Sequence, residues 1–416
     1  MRTGRIDGGR RIPVRADRAA VGRGMKGGRH LGLQALIFFL VSSTFMTIYI
    51  TQPVLPVIRS EFGVSESYAS LTVSAVIFGI ALATLPFGRL VDTFPVRPIL
   101  FAGGGVVVGC SLFCAVTGNL LLLVAARFLQ GLFIPSLTTC LVVYLVRSLP
   151  LERLNVVMGS YVSATVAGGL GGRLLGGWIH PPLHWRYAFV TASVLLASAI
   201  LAAARWLPGA EGEAEPVNEK KGFLVLLSRR ELLRTYFVAF GAFFVFSSIF
   251  NFMPFYLAGP AFRASTQTIT FLYLSYVIGV VVGPLAGNLS DRIGNGATIV
   301  LGSGVFALSI LPTFLPSMIA IMASLAGVCA GFFAVHTAAA GSLNRRLTAG
   351  RGRANSLYVL FYYLGGSIGI TVSGHAYGYA GWRMVAAIGI LMLCTTFAAG
   401  IAEMRAEGKK ENAPVR

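Results

Sequence analysis

Charged side chains are scarce in this chain. Asp, Glu, Lys and Arg make up 12% of its 416 residues, and only 15 residues are acidic. None of those acids falls in the middle of an apolar run. A chain so poor in charge cannot cover a water-exposed surface of this size. Cysteine is almost missing as well: Cys110, Cys114, Cys140, Cys329 and Cys394 all lie inside apolar runs. That excludes a disulfide framework and a cysteine metal site, and leaves five small packing groups. There is no glycine-rich nucleotide loop and no nucleophile–base constellation. Nothing points to an enzyme, and neither cofactor nor metal is expected. Residues 1–30 lack the apolar stretch and small-residue cleavage site of a secretory signal.

Apolar runs fill the space the charges leave. Hydrophobic residues make up 55% of the chain, and its mean hydropathy is +0.75. Runs of about 20 apolar residues, enough to cross a bilayer core of roughly 30 Å, recur from end to end. Twelve spans are predicted, at 34–58, 68–91, 97–117, 120–146, 154–179, 185–207, 235–259, 267–289, 297–315, 317–341, 354–378 and 382–402. The expected fold class is therefore an all-α membrane protein. Residues 1–30 carry nine Lys or Arg and many Gly, and are expected to form a disordered basic tail, with Met25 an alternative start of translation. Residues 31–207 form the first six-helix bundle. Residues 208–234 form a linker, polar over 208–222 and then a surface helix over 223–234. Residues 235–403 form the second bundle, and 404–416 a charged tail.

The net charge of +19 could mean nucleic acid, but its distribution excludes that. With these spans, about 28 of the 34 Lys and Arg fall in one alternate set of loops and tails. Arg59, Arg186, Arg263 and Arg383 fall in the other. This asymmetry places both termini in the cytoplasm and makes anionic membrane lipid, not nucleic acid, the partner of the basic face.

The two halves repeat. Gly88-Arg89-Leu90-Val91-Asp92-Thr93-Phe94-Pro95-Val96-Arg97 follows span 2, and Gly287-Asn288-Leu289-Ser290-Asp291-Arg292-Ile293-Gly294 follows span 8. In each copy Gly lets a neighbouring helix approach, and Asp stands four residues on, where the chain leaves the membrane. Trp185-Arg186 and Trp382-Arg383 open spans 6 and 12, Asn155 and Asn355 open spans 5 and 11, and Pro53 and Pro254 occupy spans 1 and 7. The paired loops resemble the cytoplasmic motif of the major facilitator superfamily, in which twelve helices form two parallel six-helix repeats. The second copy is close to the family pattern. The first keeps Gly88, Asp92 and Arg97 but has Thr93, Pro95 and Val96 where a basic residue, Gly and Arg are usual. The resemblance carries the functional expectation for Gly88, Asp92, Arg97, Gly287, Asp291, Arg292 and Gly294.

Two further stretches narrow it. Arg127-Phe128-Leu129-Gln130-Gly131 puts an Arg inside span 4 at an insertion cost of at least about 2.5 kcal/mol, and resembles the R-x-x-Q-G motif of proton-linked drug exporters. The resemblance implies coupling by Arg127 and Gln130. The alternative is a structural Arg bonded to carbonyls of span 1. In span 5, Gly159, Gly168, Gly172, Gly176 and Gly177 match every Gly of the antiporter motif G-x8-G-x3-G-P-x2-G-G. The resemblance implies that this stripe packs against the glycines of span 8, Gly279, Gly283 and Gly287, and seals the pathway. Arg173 replaces the motif Pro. It is expected to leave the helix less bent, and either to snorkel outward or pair structurally, or to act in gating or substrate attraction. Candidate cavity residues are Tyr49, Gln52, Asn251, Tyr273, Tyr276, His336, Tyr362 and Tyr363, each also an ordinary membrane side chain. His336 is the one that can titrate near neutral pH.

The stretch from Thr47 to Pro56, the span 5 glycines and Tyr362-Tyr363-Leu364-Gly365-Gly366 resemble the twelve-span drug/proton antiporter branch, in particular its arabinose-efflux-permease-like bacterial members. The resemblance implies a monomeric inner-membrane transporter that exports a small-molecule substrate by alternating access in exchange for a proton. A facilitator or importer of a sugar or organic anion, and a transporter-like membrane sensor, are the alternatives. The lack of a mid-membrane carboxylate weighs against a simple proton carrier, and Arg127 with Arg173 makes the cavity net positive.

Overall fold

A computed structural model describes residues 28–149, 151–207, 223–347 and 351–411. The expected tail over 1–27, the polar linker over 208–222 and the last residues, 412–416, lie outside the described residues, as do the side chains of Asp92 and Asn155. Among the described residues every regular element is helical. Ten helices among the described residues are long and apolar enough to cross a bilayer. The last of them, Arg351–Glu411, has non-helical dihedrals at Ala380 and Gly381, where Gly381 takes φ of +62°. Its two ends return to one side: Arg351 bonds Leu347, and Glu403 meets Arg346. It therefore supplies spans 11 and 12. Leu151–Ile179, a continuous helix of 29 residues with Arg173 within it, is span 5. With it the spans number twelve.

Capping repeats between the halves. Asn119 takes the backbone N–H groups of Leu121 and Leu122 at 2.8 and 3.2 Å, and starts span 4. Ser65, Ser265 and Ser317 cap spans 2, 8 and 10 in the same way. Each satisfies a helix N–H that no carbonyl can reach. The two Trp residues that open spans 6 and 12 pin the same ends of their bundles. Trp185 donates to Glu61 at 2.5 Å, and Trp382 donates to Thr313 at 2.8 Å.

Proline acts unequally in the two repeats. Span 1 is a helix over Gly28–Tyr49, a 3-10 turn over Gln52–Val54 and a short helix over Leu55–Phe62. Pro53 and Pro56 cannot donate to the preceding turn, so the helix breaks there. The break is buried in protein from Ile50 to Leu55, as irregular backbone at membrane depth must be. Pro254 leaves span 7 continuous over Arg230–Ala258. The break of the second half lies in span 8 instead, as a 3-10 turn over Tyr273–Tyr276.

Three expected boundaries shift. The surface helix is only Phe223–Leu227, because span 7 already begins at Arg230. Helix occupies residues 28–30 of the expected tail. At the other end helix continues through Glu411, where a tail was expected from 404. Glu403 and Glu407 explain this last shift. They stand one turn apart on a face that docks, with Glu403 on Ser342 and Arg346 and Glu407 on the backbone N–H of Gly296 at 3.0 Å. Glu407 thus supplies a carboxylate to the N-terminus of span 9, where the helix dipole favours it.

Candidate functional site

Arg127 is fully buried, and its bonds repair the break in span 1. Its Nε donates to the Thr72 carbonyl at 2.8 Å, and Nη1 donates to the Thr47 carbonyl at 2.6 Å and to Gln130 at 2.5 Å. Nη2 donates to the Ile48 carbonyl. Thr47 and Ile48 lie in the last turn of the first half-helix, whose carbonyls have no helical partner beyond Tyr49. A cation at a helix C-terminus is also favoured by the dipole. Gln130 extends the bracket to span 3 by donating to Ser111 at 2.6 Å. One guanidinium thus ties spans 1, 2 and 4 together. This is the structural alternative raised from the sequence, and all of its partners are neutral.

The glycine stripe of span 5 does not meet span 8. A methyl group at Gly168, Gly172 or Gly176 would lie 2.3, 2.1 or 1.9 Å from the carbonyl oxygens of Ser42, Met46 and Ile50. The stripe therefore packs span 5 onto span 1. The stripe of span 8 faces span 10, with Gly279 against Phe333 and Gly283 and Gly287 beside Thr337. Spacing shows that a face is bare, but not which helix covers it. Gly177 alone reaches span 8, where a methyl group would lie 1.8 Å from the Thr270 hydroxyl. Gly159 stands on the same face as Gly177, 18 residues or five turns toward the other end of the helix, about 27 Å away. Nothing lies within 4 Å of a methyl group placed there.

The two bundles thus meet closely at one end, while span 5 stands clear of span 8 at the other. On the closed side Asn251 donates to Ser70 at 2.8 Å and Ser367 donates to the Ser74 carbonyl at 3.1 Å. A methyl group at Gly374 would lie 2.8 Å from the Ser67 hydroxyl. At the other end of the same helix pair, one at Gly88 would lie 3.9 Å from the Ser356 hydroxyl, an ordinary contact, so spans 2 and 11 stay side by side there.

Arg173 belongs to the closed side. It is only 2% exposed, so it does not snorkel, and its helix runs on without a break. Nε donates to Gln52 at 2.7 Å, Nη1 to the Gly169 carbonyl at 2.7 Å and Nη2 to the Tyr276 hydroxyl at 2.7 Å. The guanidinium carbon sits 3.9 Å from the ring centre of Tyr49 and 4.2 Å from that of Tyr276, with Tyr273 at 5.6 Å. Arg173 is therefore held by both bundles, by cation–π contact as well as hydrogen bonds.

The eight predicted cavity residues divide into two groups. Tyr49, Gln52, Asn251, Tyr273 and Tyr276 are buried on the closed side. His336, Tyr362 and Tyr363 are half-buried and belong to an aromatic wall of the second bundle. Tyr362 stacks on Phe243 at 3.8 Å, Phe246 stacks on Phe332 at 3.8 Å and packs on Tyr276 at 5.2 Å. The wall is continuous from His336 to Arg173. Sequence reasoning missed Tyr358, whose hydroxyl lies 2.9 Å from Nδ1 of His336. Its signal was present, since Tyr358 stands one turn before Tyr362 on the same helix face.

The loop motifs also divide. Asp291 pairs with Arg345, Arg292 is exposed, and Gly294 takes φ of +89°, a conformation that favours glycine. Pro95 occupies the matching place in the first loop and has φ of −57°, so that turn is made differently. Arg97 donates to the Ala204 carbonyl at 2.8 Å, near the end of span 6. Sequence reasoning also missed the buried Glu403, which Arg346 joins to Glu231.

Comparison with known proteins extends these findings. The family model described as Major Facilitator Superfamily matches residues 37–335 and 261–415. The chain is 28% identical to the inner membrane transport protein YnfM of Escherichia coli over 86% of this chain and 87% of that one. It is 26% identical to an uncharacterized transporter of Buchnera aphidicola over 84% and 86%. In architecture it is similar to the inward-facing, unoccupied structure of a bacterial homologue of the human lysosomal transporter Spinster. The TM-score there is 0.71 at 14% identity, covering 94% of this chain and all of that one.

Proposed function

The chain belongs to the Major Facilitator Superfamily, and from that premise we propose that this multi-pass membrane transporter exports a small organic solute across the bacterial inner membrane by alternating access, in exchange for protons. The observation that carries the reading is the splay of span 5 from span 8. Gly177 is in hard contact with Thr270, while Gly159, five turns inward on the same face, touches nothing. Two rigid bundles hinged in this way present a cavity to one side at a time. The side that is open carries Gly88–Arg97, Gly287–Gly294 and the basic loops, which the positive-inside asymmetry assigns to the cytoplasm. The transporter is therefore in the state that loads a cytoplasmic solute.

Coupling runs through His336, bonded to the Tyr358 hydroxyl, since Arg127 already has four of its five donors on neutral partners and, among the described side chains, no carboxylate lies at mid-membrane. His336 is half-buried, with its ring packed against Phe332 and Tyr362, and imidazole is the side chain whose ordinary titration lies near neutral pH. The test is flux of substrate into inverted vesicles with and without an imposed pH gradient. Export by exchange requires accumulation only with the vesicle interior acidic, lost in His336→Gln and kept in a variant of the lipid-exposed Cys394. Equal flux with and without the gradient leaves a facilitator and overturns the exchange.

A further inference from the structure

Two buried arginines occupy the first bundle without an acid beside either, and they differ in what their partners can do. Arg127 is bonded to three backbone carbonyls and Gln130. Those carbonyls belong to the helices themselves and cannot be exchanged. Arg173 has two side-chain partners, Gln52 and the Tyr276 hydroxyl, and one carbonyl. A guanidinium offers five N–H donors in a planar fork; three go to these partners and the Tyr49 hydroxyl also bonds Arg173, which leaves one uncommitted.

Gln52 adds an independent observation. It is fully buried, and its Nε2 has no hydrogen-bond partner. Its orientation is settled by chemistry: Arg173 can only donate, so the oxygen of Gln52 must face it and the NH2 must face elsewhere. A buried donor left unmade costs about 1–3 kcal/mol. Arg173 and Gln52, joined through the Gln52 oxygen, therefore each keep an uncommitted donor in a buried site that carries net positive charge and is packed with aromatic rings. Such a set recognises an anion, and a planar fork matches a carboxylate in particular.

We infer that Arg173 and Gln52 form the subsite for the charged end of the substrate, and that the substrate is a small organic carboxylate whose apolar body lies on the aromatic wall of the second bundle. This rests on the transport reading above and specifies its substrate class. Ring contacts run from half-buried Tyr362 through Phe243 and Phe246, both only 2% exposed, to Tyr276, so the substrate's apolar body would enter at Tyr362 and part buried rings to reach Arg173. The placement also links binding to movement. Arg173 is on span 5 of one bundle and Tyr276 on span 8 of the other. A carboxylate that takes the guanidinium's donors competes with Tyr276, and so loosens the closed side when the site is filled.

The experiment is thermal unfolding of the purified full-length protein in detergent, titrated with acetate, benzoate, salicylate and succinate and with the matching neutral amides. At least one carboxylate is expected to raise the unfolding temperature by a few degrees in a saturable way, and its amide is not. Arg173→Gln is expected to weaken that binding about tenfold or more, and Gln52→Leu, which keeps the charge, to weaken it less. Arg173→Lys retains the charge without the fork and is expected to fall between wild type and Arg173→Gln. It also serves if Arg173→Gln does not fold. The inference is overturned if no carboxylate stabilises the wild type, if amides do so equally, or if both Arg173 variants bind as wild type does. Binding without gradient-driven flux would overturn proton exchange and leave the subsite standing. Flux of a neutral solute without carboxylate binding would do the reverse.

Discussion

Arginine in a membrane needs partners, and the two examples here obtain them differently. Arg127 spends its donors on carbonyls that the break in span 1 leaves open. Arg127→Ala should therefore cost folding before it costs coupling. Several buried acceptors lose their donor, each worth about 1–3 kcal/mol. We expect Arg127→Ala to lose most of its monodisperse yield and several degrees of thermal stability, and Arg127→Lys to lose less, because an ammonium keeps the charge but cannot reach Thr47, Ile48 and Thr72 together. A normal unfolding temperature for the Ala variant would show that the carbonyls find other donors, and that the bracket is dispensable. The same reasoning applies to Arg346. Glu403 is buried at the inner end of span 12 and receives bonds from Ser342 and Arg346. Arg346→Ala strands that carboxylate and should cost about 3 kcal/mol or more. Glu403→Gln keeps the acceptor and leaves Arg346 with Glu231, so its loss should be smaller. Unfolding of the two variants side by side checks the order, and the reverse order would mean that the buried charge is tolerated alone.

At the scale of helices, glycine has two different uses in span 5. Gly168, Gly172 and Gly176 allow backbone-to-backbone packing on span 1. This is how membrane helices gain contact when lipid removes the hydrophobic advantage of burial. Gly159 faces open space. Gly176→Ala should force spans 1 and 5 apart and lower the unfolding temperature by several degrees. Gly159→Ala should leave it unchanged or raise it slightly, since Ala is favoured over Gly in a helix by about 0.5–1 kcal/mol. Equal effects at the two positions would contradict the packing described here. The breaks are elements too. One lies in span 1 and the other in span 8, and Arg173 connects the two through Gln52 and Tyr276. Irregular backbone is thus placed where the bundles meet, and each break supplies side chains that a straight helix would turn elsewhere.

For the whole molecule the decisive quantity is the angle between the bundles. A single Cys at Gly159 in a background without the five native Cys should react with a membrane-impermeant maleimide applied to the cytoplasmic face, in inverted vesicles. It should be slow in right-side-out vesicles. A Cys at Thr270 should be protected from either side while the closed end stays closed, because it faces Gly177. Fast labelling of the Gly159→Cys protein only from the outside would reverse the proposed orientation of both termini.

Much of this protein is set locally. Apolar run length determined twelve passes, and repetition of Gly88–Arg97 at Gly287–Gly294, with Trp185 and Trp382, determined two halves, because a bilayer imposes one length and one polarity rule on every span. The break at Pro53 was also legible, since a missing N–H is a property of the residue itself. The partners were not. The span 5 glycines announce a bare face, but only the packed bundle puts span 1 on it and leaves span 8 to Gly177. Arg127 and Arg173 look alike as sequence, each a lone cation in an apolar helix. Their difference comes from residues far along the chain: Thr47, Ile48 and Thr72 for one, Gln52 and Tyr276 for the other. The inner end of span 12 looked like a charged tail because Glu403 and Glu407 are ordinary surface residues until Arg346 and the N-terminus of span 9 are brought beside them. Burial cost and helix geometry act within a segment and can be read along it. Hydrogen-bond partners at mid-membrane are a property of assembly, and only the tertiary structure decided them.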